Sequence, residues 1–363
     1  MRPLSTADSG LFAIMHPIMK MYRFILLVCI ACATSFFSAC GNGSGDNTIA
    51  AADSTGTDSV LAALNKKIAD EPDNFANYLA RAQYYGKTER YDLAMKDIAR
   101  AIETDSLQST IYLYRGEIHW AQENVNKAYD DYKQCLALEA TNTDCLLKKA
   151  AIDIVLNNYT IALQHINDAL RQGDQAYAYY LKGRLYKQQG DTASAISAYQ
   201  TAVEVDATYY DAFIEVGLLF AAQKNDLAKD YYNSAIEIRP NSIEAWYNKA
   251  MFFQETGNKD QKRYQEALTC YDKIISIDST FATAHFNKGF VYLEYLKDLK
   301  SSEKEFTEAV LTNPSYFMAY YNRGLVYERM GKKDEAERDF RKALSIKPDY
   351  TDAAKGVSRI LGE

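Results

Sequence analysis

Three five-residue segments recur in the second half of the chain: Trp246-Tyr247-Asn248-Lys249-Ala250, His285-Phe286-Asn287-Lys288-Gly289 and Tyr320-Tyr321-Asn322-Arg323-Gly324, 39 and 35 residues apart. Each leads into an aromatic three residues after its small member: Phe253, Tyr292 and Tyr327. Each is followed later by another aromatic and, three on, a smaller residue: Tyr271 and Ile274, Phe306 and Ala309, Phe340 and Ala343. A recurrence of this length marks one supersecondary unit that cannot cover its own apolar faces, so successive units must stack in line. The 363 residues therefore read as one quasi-linear array rather than the two or three domains their length would suggest. With only 17 Gly and 6 Pro, the units are mostly helix joined by short turns. A hydrophobic fraction of 48% excludes a long disordered chain, and 6 Cys exclude a disulfide framework.

The recurrence resembles the tetratricopeptide repeat, a 34-residue helix-turn-helix with a large apolar residue at position 4, a small one at 8, aromatics at 11 and 24, Ala at 20 and 27 and Pro at 32. In the unit starting at Phe317, Tyr320, Gly324, Tyr327, Gly331, Ala336, Phe340, Ala343 and Pro348 hold positions 4, 8, 11, 15, 20, 24, 27 and 32. The unit at Ala176 matches with Tyr179, Gly183, Tyr186, Gly190, Ala195, Tyr199 and Ala202. Eight units begin near Phe75, Ser109, Thr143, Ala176, Tyr210, Ile243, Ala282 and Phe317. The third and fifth are 33 long, the sixth carries five extra residues around Lys259–Arg263, and the seventh carries one. The last three of these changes are expected between the paired helices, where loop length is cheap. The third unit, with Leu146 and Asp153 in aromatic slots, reads as locally loose. The resemblance implies an all-α fold, a right-handed superhelical solenoid of about eight repeats over residues 58–363. Val60–Asp70 and Thr351–Leu361 serve as its capping helices.

The N-terminal region has a different character. Phe24–Ala39 is an apolar run of 16, short for a membrane span, preceded by Lys20 and Arg23 and ended by small residues. Phe37-Ser38-Ala39-Cys40 resembles a bacterial lipoprotein signal, with Phe37 where Leu is preferred. That resemblance implies cleavage of residues 1–39, lipidation of Cys40 and translation starting at Met19 or Met21; the other reading is an ordinary signal with an incidental cysteine. Residues 40–57, rich in small and polar types, read as a flexible tether. Cleavage would remove Arg2, Lys20, Arg23 and Asp8, taking the net charge from −7 to −9. That charge argues against nucleic acid as a partner and leaves the lipid as the contact with a membrane.

No combination of residues spells out catalysis. There is no complete phosphate loop, HExxH or GxSxG. His119, His165 and His285 belong to three different repeats, too dispersed for a metal, and no cofactor is implied. Cys135 ends a second helix and Cys145 begins the next first helix, which leaves a disulfide open in an oxidising envelope; as Cys135 replaces the consensus Ala, a small buried thiol is the preferred reading. Acidic pairs such as Asp130-Asp131 are expected to face solvent. Position 7 is basic in seven repeats (Arg81, Arg115, Lys149, Lys182, Lys249, Lys288, Arg323), and Asp97, Asp131, Glu305 and Asp339 stand at position 23, so the two are expected to pair within a repeat.

In this family the first helices line a concave groove. Position 5 carries Tyr247, Phe286 and Tyr321 in the last three repeats, position 9 carries Met251, Phe290 and Leu325, and Leu293 adds to the apolar strip. Position 6 carries Asn248, Asn287 and Asn322, which look like an asparagine ladder that holds an extended peptide backbone, since a carboxamide both donates and accepts. Tighter stacking between repeats explains the same residues equally well. The function implied is a non-enzymatic protein–protein scaffold or adaptor, binding a peptide or partner protein in this groove. It would sit in a bacterial envelope, as an outer-membrane lipoprotein facing the periplasm. The alternative is an accessory subunit of a secretion or cell-wall-remodelling machine that uses its convex face.

Overall fold

The computed structural model describes residues 54–362, with side chains from Ser59; Cys40 and the signal region lie outside these. The repeat array falls in the unit Ser59–Glu363. Among the described residues there are eighteen α-helices, and no strand. Helix α1 (Ser54–Asp70) precedes the repeats, beginning four residues inside the stretch read as tether. The paired helices follow: α2 (Phe75–Lys87) with α3 (Tyr91–Thr104), α4 (Ser109–Ala121) with α5 (Val125–Leu138), α6 (Thr143–Val155) with α7 (Tyr159–Leu170), and α8 (Ala176–Gln188) with α9 (Thr192–Val205). Then come α10 (Tyr210–Ala222) with α11 (Leu227–Ile238), α12 (Ile243–Thr256) with α13 (Gln261–Ile277), α14 (Ala282–Phe290) with α15 (Leu299–Thr312), and α16 (Phe317–Arg329) with α17 (Lys333–Ile346). Helix α18 (Thr351–Leu361) closes the series. All eight first helices start at the residue the spacing indicates. Each second helix packs on its own first helix and on the first helix of the next repeat, which makes the array a solenoid.

The start and stop signals are local. Pro72, Pro240, Pro314 and Pro348 each stand two residues beyond a helix end (Asp70, Ile238, Thr312, Ile346), where a missing N–H costs nothing. In six repeats the turn between paired helices places one left-handed residue at position 15, and in the sixth the longer connection has two, Asn258 and Lys259. Gly190 (φ 81°) and Gly331 (φ 76°) supply it freely, whereas Glu89, Glu123, Asn157 and Lys224 adopt it at φ 55–62°.

Two insertions are absorbed differently from expectation. The extra residue of the seventh repeat does not enlarge the turn: it continues α14 as a π-helical turn, Val291–Leu296, and moves the left-handed residue on to Lys297. The five extra residues of the sixth repeat lengthen α13 to 17 residues, so Gln261, Lys262 and Arg263 form an added first helical turn.

The core follows position 24. Tyr132, Tyr199, Tyr232, Tyr271, Phe306 and Phe340 are at most 1% exposed, and positions 20 and 27, Ala in most of these repeats, let the helices approach. The third repeat is packed, contrary to the sequence reading. Leu146 is buried, and the Asp153 carboxylate is sealed within a polar cluster: Tyr129 donates to it at 3.2 Å, Asn158 at 3.4 Å and Lys149 at 3.5 Å. A buried carboxylate with three donors replaces an aromatic ring without leaving a void.

Candidate protein-binding groove

The ten groove residues separate by burial. Leu293 is fully buried, in a cluster with Phe306 and Val326, so it belongs to the core and not to the groove surface; the π turn carries it inward. Met251 and Asn287 are also buried. Tyr247, Asn248, Phe286, Phe290, Tyr321, Asn322 and Leu325 are half-buried along the first helices.

The position-5 rings have fixed partners. Tyr247 meets Tyr271 and Phe281 at centroid distances of 6.3 Å each. Phe286 meets Phe306 at 5.6 Å and Tyr316 at 5.0 Å. Tyr321 meets Phe340 at 5.7 Å and Tyr350 at 5.1 Å. In the fourth repeat Tyr180 meets Tyr199 at 5.5 Å and Tyr209 at 5.4 Å. In each trio the second ring is at position 24 of the same repeat. The third is the residue just before the next first helix, a position the sequence analysis passed over. A signal was present: position 34 is aromatic wherever position 5 is aromatic, and polar (Gln108, Asn142, Gln175, Ser242) wherever position 5 is Leu or Ile. Two of the polar residues cap a helix, Asn142 at the Cys145 N–H and Ser242 at the Ala245 N–H, whereas Gln108 and Gln175 make no side-chain cap; the aromatic residues make a ring contact and no cap. Burial pushes the Tyr180 hydroxyl up to about 12 and raises that of Tyr321, so both remain protonated at neutral pH.

The asparagines do not act alike. Asn287 donates to the Tyr247 hydroxyl at 3.2 Å and reaches the Met251 sulfur at 3.9 Å, tying α14 to α12. Asn322 donates to its own helix at the Met318 carbonyl, 2.8 Å away. Asn248 is half-buried in α12. The structure thus gives position 5 and Asn287 an inter-repeat packing role; Phe290 packs on the cluster of Leu293, Phe306 and Val326 and meets Tyr295 at 5.9 Å, and Asn248 and Leu325 are half-buried on their first helices.

Ion pairs join the two helices of a repeat as expected: Arg81–Asp97 at 2.7 Å, Arg115–Asp131 at 2.6 Å, Lys288–Glu305 at 2.7 Å and Arg323–Asp339 at 2.7 Å. All four carboxylates are buried, Asp131 included, so the expectation that Asp131 faces solvent does not hold. Histidines join three such clusters: His119 lies 3.8 Å from Asp131, His165 lies 3.4 Å from Asp153, and His285 is hydrogen-bonded to Glu305 at 2.8 Å. Each imidazole serves its own repeat. Burial holds the Glu305 carboxyl up, but His285 and Lys288 outweigh it and bring it below the usual range. Cys135 and Cys145 form a disulfide, correcting the preferred reading of a free thiol; it ties α5 to α6 across the boundary between the second and third repeats. Cys270 is a free, buried thiol.

Two clefts, of about 390 and 320 Å³, lie away from the ten groove residues: one at Glu89–Leu93 and Gln122, the other around Lys249 and Arg263.

Comparison with known proteins places these observations. Models described as tetratricopeptide repeat match residues 79–140, 176–209, 231–268 and 317–350, and one described as TPR repeat matches 259–294; together they span more than half of the chain. The human tetratricopeptide repeat protein 6 is 24% identical over 296 residues, covering 79% of this chain and 55% of the relative, so the chain spans about half of that protein's length. A solved tetratricopeptide repeat protein from Parabacteroides merdae is 17% identical, covering 70% of this chain and 98% of its own, with a TM-score of 0.45. The C-terminal part of a repeat protein from Cytophaga hutchinsonii is 22% identical, covering 63% and 93%, also with a TM-score of 0.45. With eight helix pairs in register and its repeat models matched along the array, the chain belongs to the tetratricopeptide repeat family.

Proposed function

We propose that this protein is a non-enzymatic interaction scaffold, held at a bacterial envelope by a lipid on Cys40, that binds an extended segment of a partner protein along the first helices of its last three repeats. A tetratricopeptide array supports protein–protein interaction as a class; the anchor and the groove are the specific part of the proposal. The observation that carries the groove is the set of rings at Tyr247, Phe286 and Tyr321, each clamped between two other rings, with half-buried Asn248, Phe290 and Leu325 on the same first helices. A floor ordered before binding loses little side-chain freedom when a ligand arrives, so more of the contact energy becomes affinity. The disulfide supports an oxidising compartment, as expected of an envelope protein facing the periplasm.

The test leaves the clamped rings alone. The triple variant Asn248→Ala, Phe290→Ser, Leu325→Ser is expected to lower recovery of the bound partner about tenfold or more in affinity purification of the intact lipoprotein, the effect of losing a small central hot spot. Unchanged recovery, with helical content intact, would direct recognition to another face. Cys40→Ala is expected to leave an unprocessed precursor that takes up no labelled fatty acid.

A further inference from the structure

The sixth repeat combines two features that meet at one cleft. At position 23 it carries Cys270 where four other repeats place the acid that pairs with the position-7 cation. Lys249 therefore makes no ion pair among the described residues; its ammonium lies 5.3 Å from the Trp246 ring. The turn added to α13 brings Lys262 and Arg263 to the same place, opposite Lys229 of α11. Neither Lys229 nor Lys262 makes an ion pair among the described residues. Arg263 is bound to Asp226 at 2.6 Å and lies over Phe252 and Phe253, and its buried Nε has no hydrogen-bond partner. Phe253 lines the cleft, and Glu266 is the acid there besides Asp226. Three lysines without an ion pair among the described residues thus line a cleft of about 320 Å³ together with Glu266.

We propose that this cleft takes the carboxylates of a short acidic segment of a partner protein. The three lysines come from three different helices, so they present spaced point charges that suit successive Asp or Glu side chains along a peptide. The apolar Phe253 wall suits the methylenes between those carboxylates. A chain of net charge −7 repels a long polyanion, which confines favourable binding to a short segment at this local positive spot. None of the ten groove residues lines the cleft, so this surface acts independently of the groove.

The probe is a fluorescein-labelled hexaglutamate peptide, titrated against the mature full chain by anisotropy at low salt. Lys249→Gln with Lys262→Gln is expected to weaken binding about tenfold or more, and about 1 M salt, where the Debye length is about 3 Å, to abolish it. Lys262→Glu alone changes an exposed residue and is expected to weaken binding with no change in thermal unfolding, which keeps the test valid if the double variant is unstable. Lys182→Gln, at the matching position of the fourth repeat, is expected to bind like the parent. Absence of binding, equal affinity in the Lys249/Lys262 and Lys182 variants, or displacement by inorganic phosphate at the peptide's own concentration would overturn the proposal; the last would make the cleft a small-anion site.

Discussion

A single methyl group decides which ring a repeat can hold. In five repeats position 8 is Gly, and a Cβ there would stand 2.6 Å from Tyr132 (Gly116), 2.6 Å from Tyr199 (Gly183), 2.5 Å from Tyr232 (Gly217), 2.8 Å from Phe306 (Gly289) and 2.7 Å from Phe340 (Gly324). The first and third repeats instead have Ala82 and Ala150, and their position-24 residues are Ile98 and Ile166. The sixth repeat combines Ala250 with Tyr271, both fully buried. Gly183→Ala gains about 1 kcal/mol of helix propensity, but the methyl must displace a fully buried ring, at an overpacking cost of about 1–3 kcal/mol. A net loss of about 1 kcal/mol in urea unfolding is expected. In a Tyr199→Ile background the same substitution should be neutral or stabilising, a coupling of at least about 1 kcal/mol between the sites. Strictly additive losses would show that the ring is not what reserves the position for glycine.

At the scale of the paired helices, the seventh repeat shows what the charged positions do. Lys288 sits between Glu305 at 2.7 Å and Asp272 at 2.6 Å, and His285 holds the other Glu305 oxygen. Burial alone would lower the Lys288 pKa, yet Asp272 and Glu305 raise it. Glu305, depressed in the fold, contributes stability present above its unfolded pKa and lost as pH falls through its folded value. Lys288, raised in the fold, contributes stability present below its unfolded pKa and lost only as pH rises through its folded value. At neutral pH both contributions are in place. Glu305→Gln leaves a nearly buried ammonium with one exposed partner and is expected to cost about 3 kcal/mol at pH 7. As pH falls through that lowered folded value the parent carboxyl is itself protonated, so the gap in thermal stability between parent and variant should narrow. A gap that does not change with pH would mean that the pair acts through shape and not charge. This pairing was legible in the sequence, because antiparallel helices bring positions 7 and 23 together whatever the tertiary detail. The π turn at Val291–Leu296 was not: one extra residue fits equally well in a loop or a helix, and only the burial of Leu293 distinguishes them.

Across the whole array, the repeat count, all eight first-helix starts and the closing helix could be read from spacing, because stacking reuses the same small and aromatic positions. What spacing concealed were links between repeats. The position-34 rings lie beyond the aromatic positions of the repeat pattern, and the Cys135–Cys145 bond crosses a repeat boundary where consensus reasoning sees an Ala variant. That bond has a consequence for the array. In a solenoid each repeat touches its neighbours, so stability is a sum of repeat and interface contributions, not one global quantity. A disulfide with a sequence separation of 10 limits the unfolded chain over a short loop, worth about 2–3 kcal/mol. Cys135→Ala with Cys145→Ala restores the consensus residue at position 27 and leaves only a small void, so lost cross-linking dominates. Hydrogen exchange should then speed up most in α5 and α6, less in α4 and α7, and little from α12 onward. Reduction of the parent protein should reproduce that profile. Equal acceleration in every helix would mean that the array opens as one cooperative body, because only then would a constraint between the second and third repeats be felt at the eighth.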